Sequence, residues 1–255
     1  METARENAIV LAGSLAAYLQ LPVRTDHESI HALRVCIKKT RAYIRLFKFN
    51  GSTLKEPPVL VKAFDAAGMI REAQLAEAWI MSLSKRNAEL MSAHALFKRA
   101  EKNGSQLLQH VASSVDHAEM TMFATSFIMR AQKLTRKELS RFVKAKFAIL
   151  GRRAEQRLDR KKLHKLRARL KEVIYIIPED MLKDVRRAKS LDKLQHKIGN
   201  WHDLLKISDR MDKISSKKRS KLFRETVEKL AGDEQSSFRK LKHKAGGLEK
   251  DLMLN

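Results

Sequence analysis

Cysteine is almost missing from this 255-residue chain: Cys36 stands alone. No intramolecular disulfide can form, and no zinc site can be built on cysteines. A single cysteine inside a helix reads as a small buried apolar residue. Proline (four) and glycine (nine) are scarce, leaving Ala, Leu, Lys, Arg and Met to favour helix throughout. Aromatic residues make up 6%, too few to interleave with cations as the stacking platforms of single-strand nucleic-acid binders. No apolar run reaches the length of a membrane span. The uncharged stretch from Asn7 to Val23 follows Glu2 and Glu6, the reverse of the positive start of a signal peptide. A soluble, cytoplasmic protein is expected.

Acid is missing where it would matter most. No Asp or Glu lies between Ser29 and Lys55, yet six Lys/Arg fall between Arg34 and Lys48. Across the chain, 53 Lys+Arg against 29 Asp+Glu leave a net charge of +24, while 44% hydrophobic residues supply a core. That excess exceeds what solubility needs and points to a polyanionic partner: nucleic acid, an acidic membrane face or a phosphate polymer. The bias is uneven. Residues 1–129 hold 16 Lys/Arg against 12 Asp/Glu, and residues 130–255 hold 37 against 17. The first half is therefore nearly balanced except in this one stretch.

Apolar residues recur at spacings of three and four, with no sustained alternation of period two, so every major segment reads as helical. The expected helices are 2–20, 25–49, 57–84, 86–111, 113–150, 159–177, 180–214 and 216–244. Pro22, Pro57, Pro58 and Pro178 fall at their ends. Thr25 followed by Glu28 has capping-box spacing and places a helix start before His31.

The chain also matches itself. "HALRVCIKKTRAY" from His31 and "HKLRARLKEVIY" from His164 share His-x-Leu-Arg, with a lysine (Lys38, Lys171) four residues beyond the arginine. Downstream, Gly68 precedes Arg71 and Glu72, as Gly199 precedes His202 and Asp203. Four helices followed by four helices, with matching elements at matching places, imply duplicated four-helix bundles. The halves would be 1–112 and 113–250, within a single domain over 1–255. Such a repeat gives pseudo-twofold symmetry and turns equivalent faces towards a shared axis.

On a helical wheel, His31, Arg34, Lys38, Arg41 and Arg45 fall within an arc of about 80°. Leu33, Ile37, Thr40, Ile44 and Phe47 form the adjoining apolar stripe. The cations therefore sit at a groove edge between helices. A solvated helix face ordinarily mixes charge signs, because like charges repel at i,i+4; this arc has no acid of its own, so an external anion is expected to neutralise it. In the second half, His164, Arg167 and Lys171 share one face with Arg160. Gly68 and Gly199 are expected to permit close helix approach, and Trp201 to pack in the interior.

These residues resemble the CHAD domain (conserved histidine α-helical domain). The match rests on His31, Arg34, Val35, Lys38, Lys39 and Arg41, on His164, Leu166, Arg167, Lys171 and Tyr175, and on the pairs Arg71–Glu72 and His202–Asp203. The resemblance implies an all-α fold of two four-helix bundles around a central basic cavity. It also implies binding of inorganic polyphosphate and association with polyphosphate granules. Arc and resemblance together name His31, Arg34, Lys38, Lys39, Arg41, Arg45, Arg71, His164, Arg167, Lys171 and His202 as ligand contacts. Glu72, Asp203 and Tyr175 would orient them. Where the family often has arginine before the tyrosine, this chain has Ile174, which predicts a weaker second half-site. His31 and His164 are expected to tighten binding between pH 7.5 and 6 as they gain protons.

Two rival functions remain. Non-specific RNA or DNA binding would follow from the basic field alone, at least as a weak side activity, although no Asn or Gln pattern is set to read bases. A phosphoryl-handling enzyme using histidine is the other. The sequence has no Gly-rich phosphate loop, no nucleophile elbow and no His-Glu-x-x-His, so no catalytic residue, metal or cofactor is expected. Membrane insertion is not expected either, because the bundle consumes the apolar stripe beside the cations.

Overall fold

The computed structural model describes residues 2–19, 22–83, 88–155, 159–177 and 185–214, with isolated helical positions beyond. Eight helices follow in order: α1 (Glu2–Tyr18), α2 (His27–Phe49), α3 (Pro58–Leu83), α4 (Ala88–Ser113), α5 (His117–Lys133), α6 (Arg136–Glu155), α7 (Arg160–Ile174) and α8 (Val185–Ile214). No strand occurs among the described residues. Nor does any described helix have the length and apolarity to cross a membrane.

The eight helices among the described residues are not the eight expected from the sequence. The single helix expected over 113–150 is two. Asp116 caps α5 by accepting from the backbone of Ala118 and Glu119. A second cap at Thr135 then starts α6. There the Glu138 carboxylate accepts from the Thr135 backbone N–H at 2.8 Å, and the Thr135 hydroxyl accepts from the Glu138 N–H at 3.2 Å. This reciprocal capping box satisfies donors that a helix start leaves open. The helix expected over 216–244 lies almost wholly outside the described residues, as does Pro178.

At α2 the cap is Asp26 rather than Thr25. Its carboxylate accepts from the Ser29 N–H at 2.9 Å and the Ser29 hydroxyl at 2.7 Å. At the other end, Gly51 takes φ +84°, which turns the chain so that the Ser52 N–H reaches back to the Phe47 carbonyl at 2.9 Å. Only a residue without Cβ adopts that conformation freely. Pro58 opens α3 at the first helical position, where its missing N–H is not needed.

The expected apolar stripe of α2 is buried: Leu33, Ile37, Thr40, Ile44 and Phe47 all face the core. Tyr43 and Phe47 pack edge-on against Phe127 of α5, joining the two halves of the chain in one cluster that extends to Trp201 of α8. Truncating a ring such as Phe127 to Ala would cost about 3–5 kcal/mol. Helix α3 lines its interior with Ala63, Ala66, Ala67, Ala73 and Ala76, so α4 packs closely along it. The glycine that allows that approach is Gly104, where a Cβ would meet Ile70 Cγ1 at 2.9 Å. A smaller cluster of Ala76, Ile80, Phe97, Ile207 and Met211 ties α3 and α4 to α8. Helices α2, α3, α7 and α8 are thereby held side by side.

Candidate functional site

Between these helices lies a pocket of about 280 Å³. Helix α2 contributes Arg34, Lys38, Arg41 and Arg45, α3 contributes Phe64, α7 contributes His164, Arg167, Lys171 and Glu172, and His202 comes from α8. Tyr175, at the end of α7, completes the wall. Most of the expected contacts from both halves therefore meet in one place. His31 and Arg71 are not among the lining residues; His31 feels the charges of Arg71, Lys38 and Lys171. Lys39 does not line the pocket, because it lies some 100° around α2 from Lys38.

Two glycines seat the arginines. A Cβ on Gly68 would lie 2.7 Å from Arg34 Nη1, and one on Gly199 would lie 3.2 Å from Arg167 Nη2. The expected role of these glycines, letting helices approach, is corrected: each leaves room for the guanidinium of its own half. From its seat Arg34 donates to the Phe64 carbonyl at 2.8 Å. The Phe64 ring lies under two guanidinium groups, Arg34 at 4.3 Å and Arg41 at 4.2 Å, with Lys38 at 5.6 Å. A ring face stabilises each cation by about 0.5–2 kcal/mol, which offsets part of the repulsion among the like charges gathered here. Phe64 was not singled out from the sequence, though it stands one helical turn before Gly68 on the same face.

The cations divide into two classes. Arg41 is held by Glu56 at 2.7 Å and Arg45 by Glu172 at 2.8 Å. Lys38, Arg167 and Lys171 make no ion pair among the described residues. Arg167 Nε is shut off from solvent and has no hydrogen-bond partner. An unmet buried donor of this kind costs about 1–3 kcal/mol.

Titration behaviour follows from this crowding. Burial, then Arg34, Lys171 and Arg167, push the Lys38 pKa down to about 7, with Asp203 opposing them. Burial, then Arg167, push Lys171 down to about 8. Arg34 and Arg167 are lowered chiefly by burial. His31 and His164 are lowered below the ordinary histidine value by burial first; Arg71 and Lys38 then act on His31, and His202 and Arg167 on His164. The lysines, rather than the histidines, thus change charge between pH 6.5 and 8.5 in the free protein. Burial opposes the charge on Asp203, but the neighbouring His202, Arg167 and Arg71 together hold its pKa low.

The expected orienting acids sit at the same end of the pocket. Glu72 is 3.6 Å from Lys206 of α8, and Asp203 is 3.9 Å from His202 Nδ1. The His164 and His202 rings stack with centroids 4.7 Å apart, so after burial it is His202 that most opposes a proton on His164. His27, one turn before His31, hydrogen-bonds Arg71. Tyr175 has its pKa raised by burial and lowered in part by Arg167. No group of three or more His, Cys, Asp or Glu side chains is arranged to hold a metal ion among the described residues.

Comparison with known proteins adds two findings. The family model for the CHAD domain matches residues 11–212. The crystal structure of the CHAD domain from the plant Ricinus communis superposes with a TM-score of 0.71 at 18% identity, covering 98% of this chain and 90% of that one; this likeness shows the fold. No curated protein sequence matches.

Proposed function

Because the chain belongs to the CHAD domain family, we propose that it is a binding module for inorganic polyphosphate and carries out no catalytic step. The reading rests on one observation above others. Lys38 from the first half, and Arg167 and Lys171 from the second, share a pocket without an ion pair among the described residues, and Arg167 Nε has no acceptor. Buried cations left in this state are unstable unless an anion arrives. A linear phosphate chain supplies closely spaced oxygens: arginine takes two with its planar fork and lysine adds a mobile point charge.

Matched contacts support a central basic cavity shared by two related halves. Arg34 lies over Gly68 as Arg167 lies over Gly199. Arg34 feels Glu72, and Arg167 feels Asp203. Within the unit 1–255, the halves 1–112 and 113–250 would then each present one arginine and one lysine to the same strand of phosphate. Arg34, Lys38, Arg167 and Lys171 are its principal contacts, with His31, Arg71, His164 and His202 extending them at one end. Capture of this type suits recruitment to polyphosphate granules.

The test is competition. Labelled polyphosphate bound to the protein should be displaced by unlabelled polyphosphate at concentrations more than about tenfold lower, per phosphate, than duplex DNA, single-stranded RNA or ATP require, a preference of about 1.4 kcal/mol. Equal competition by nucleic acid would reduce the pocket to a general polyanion binder. Hydrolysis of the probe would make the protein an enzyme.

A further inference from the structure

Glu172 is out of place in a pocket for anions. It lines the pocket, is 4% exposed, and follows Lys171 directly. Three cations from three helices hold it: Arg45 of α2 at 2.8 Å, Lys146 of α6 at 3.0 Å, and Arg169 of α7 at 3.0 Å to both oxygens. A carboxylate clasped in this way is hard to displace, and it repels any second anion approaching the same cations. Glu56 repeats the arrangement one turn earlier on α2 by holding Arg41. Both carboxylates therefore act on the C-terminal part of α2. At the other end of the pocket the pairs are longer, Lys206–Glu72 at 3.6 Å and His202–Asp203 at 3.9 Å, and more open to water.

We propose that Glu172, backed by Glu56, is the specificity determinant that ends the phosphate-binding track at the C-terminal side of α2, so that bound phosphate runs from Arg34, Lys38, Arg167 and Lys171 only towards the histidine end and the pocket engages a limited length of a long chain. The inference rests on the polyphosphate reading. With the carboxylate in place, phosphate units beyond the central four cations meet an occupied Arg45 and a buried negative charge. Without it, Arg45, which lines the same pocket, becomes a further positive group continuous with the track.

The experiment compares long-chain polyphosphate with tripolyphosphate on wild-type protein, Glu172→Gln and Glu56→Gln. Glu172→Gln should bind the long chain about three- to tenfold more tightly and tripolyphosphate within about twofold of wild type. The slope of log affinity against log salt for the long chain should steepen by about one, as another counterion is released. Adding Arg45→Ala to Glu172→Gln should cancel the gain. Glu56→Gln carries the same expectation at a less buried site, and decides the question if Glu172→Gln fails to fold. Unchanged or weaker long-chain binding overturns the inference, since Glu172 would then orient Arg45 or serve only the fold. Equal tightening of both ligands also overturns it, because a general change in field would suffice. If wild type binds neither ligand, the functional reading falls and this inference with it.

Discussion

Replacing Lys38 with Met should stabilise the ligand-free protein while weakening its grip on polyphosphate. Lys38 is half-buried beside Arg34, Arg167 and Lys171, and its pKa falls from 10.5 to about 7. At about 1.4 kcal/mol per pH unit, the charged form destabilises the fold by up to roughly 5 kcal/mol. That is an upper figure, because the pocket is open to water and the side chain can swing outward. Exchanging buried ionic groups for apolar ones of similar volume gains about 1–4 kcal/mol in practice, and the lower part of that range is expected here. The sign with pH follows from linkage. Between about pH 7 and 10.5 the unfolded chain holds a proton that the folded chain has released, so wild-type stability rises with pH across that window. The penalty is complete below about pH 7 and fades towards 10.5. Lys38→Met should therefore raise the melting temperature most at pH 6 and progressively less at pH 8 and 9. With polyphosphate added, the variant should lose about 10- to 100-fold in affinity, one charged hydrogen bond. Calorimetric melts at three pH values, with and without ligand, measure both effects. A variant that melts below wild type at every pH without ligand would refute the reasoning, because Lys38 would then be stabilised in its site by Phe64.

Binding of polyphosphate should draw protons onto Lys38 and Lys171, whose pKa values of about 7 and 8 rise when phosphate neutralises the surrounding charge. Affinity should increase from pH 8.5 to 6.5, and titration calorimetry in buffers of different ionisation enthalpy should detect proton uptake. A profile flat over that range and rising only below 6.5 would return the effect to His31 and His164. Gly68→Ala should hold or raise the melting temperature, since alanine favours helix by about 1 kcal/mol. It should also weaken binding about five- to tenfold by pushing Arg34 off its seat, the loss of about one hydrogen bond. Gly199→Ala should act in the same direction but less, because its Cβ would meet Arg167 at 3.2 Å rather than 2.7 Å. Wild-type affinity in Gly68→Ala would show that the seat does not matter.

What the sequence revealed was local or repeated. The core stripe and basic arc of α2 were legible because both follow helical period on one element, and each residue's face is set by its own position. The pairing of His31–Lys38 with His164–Lys171 was legible because it occurs twice. The break between α5 and α6 was readable in principle, since Thr135 and Glu138 carry capping-box spacing, but continuous amphipathicity on both sides hid it. Contacts formed across the fold were not legible. Nothing near Arg45 in sequence announces Glu172, and nothing near Arg34 announces Phe64. Gly68 and Gly199 were marked by their repeat, yet their partners, the guanidinium groups, come from other helices. The pH behaviour was assigned to histidine from its free pKa; burial and mutual repulsion in the folded pocket move the lysines into that range and the histidines below it.

The most direct test of the pocket's role is the affinity of Arg34→Ala/Arg167→Ala for long-chain polyphosphate, measured at fixed salt against wild type. Each arginine contributes a charge-assisted contact of about 1.5–3 kcal/mol, so the double variant should bind at least about a hundredfold more weakly while keeping its helical content. An affinity equal to that of wild type would contradict the account and place the ligand elsewhere on the basic surface.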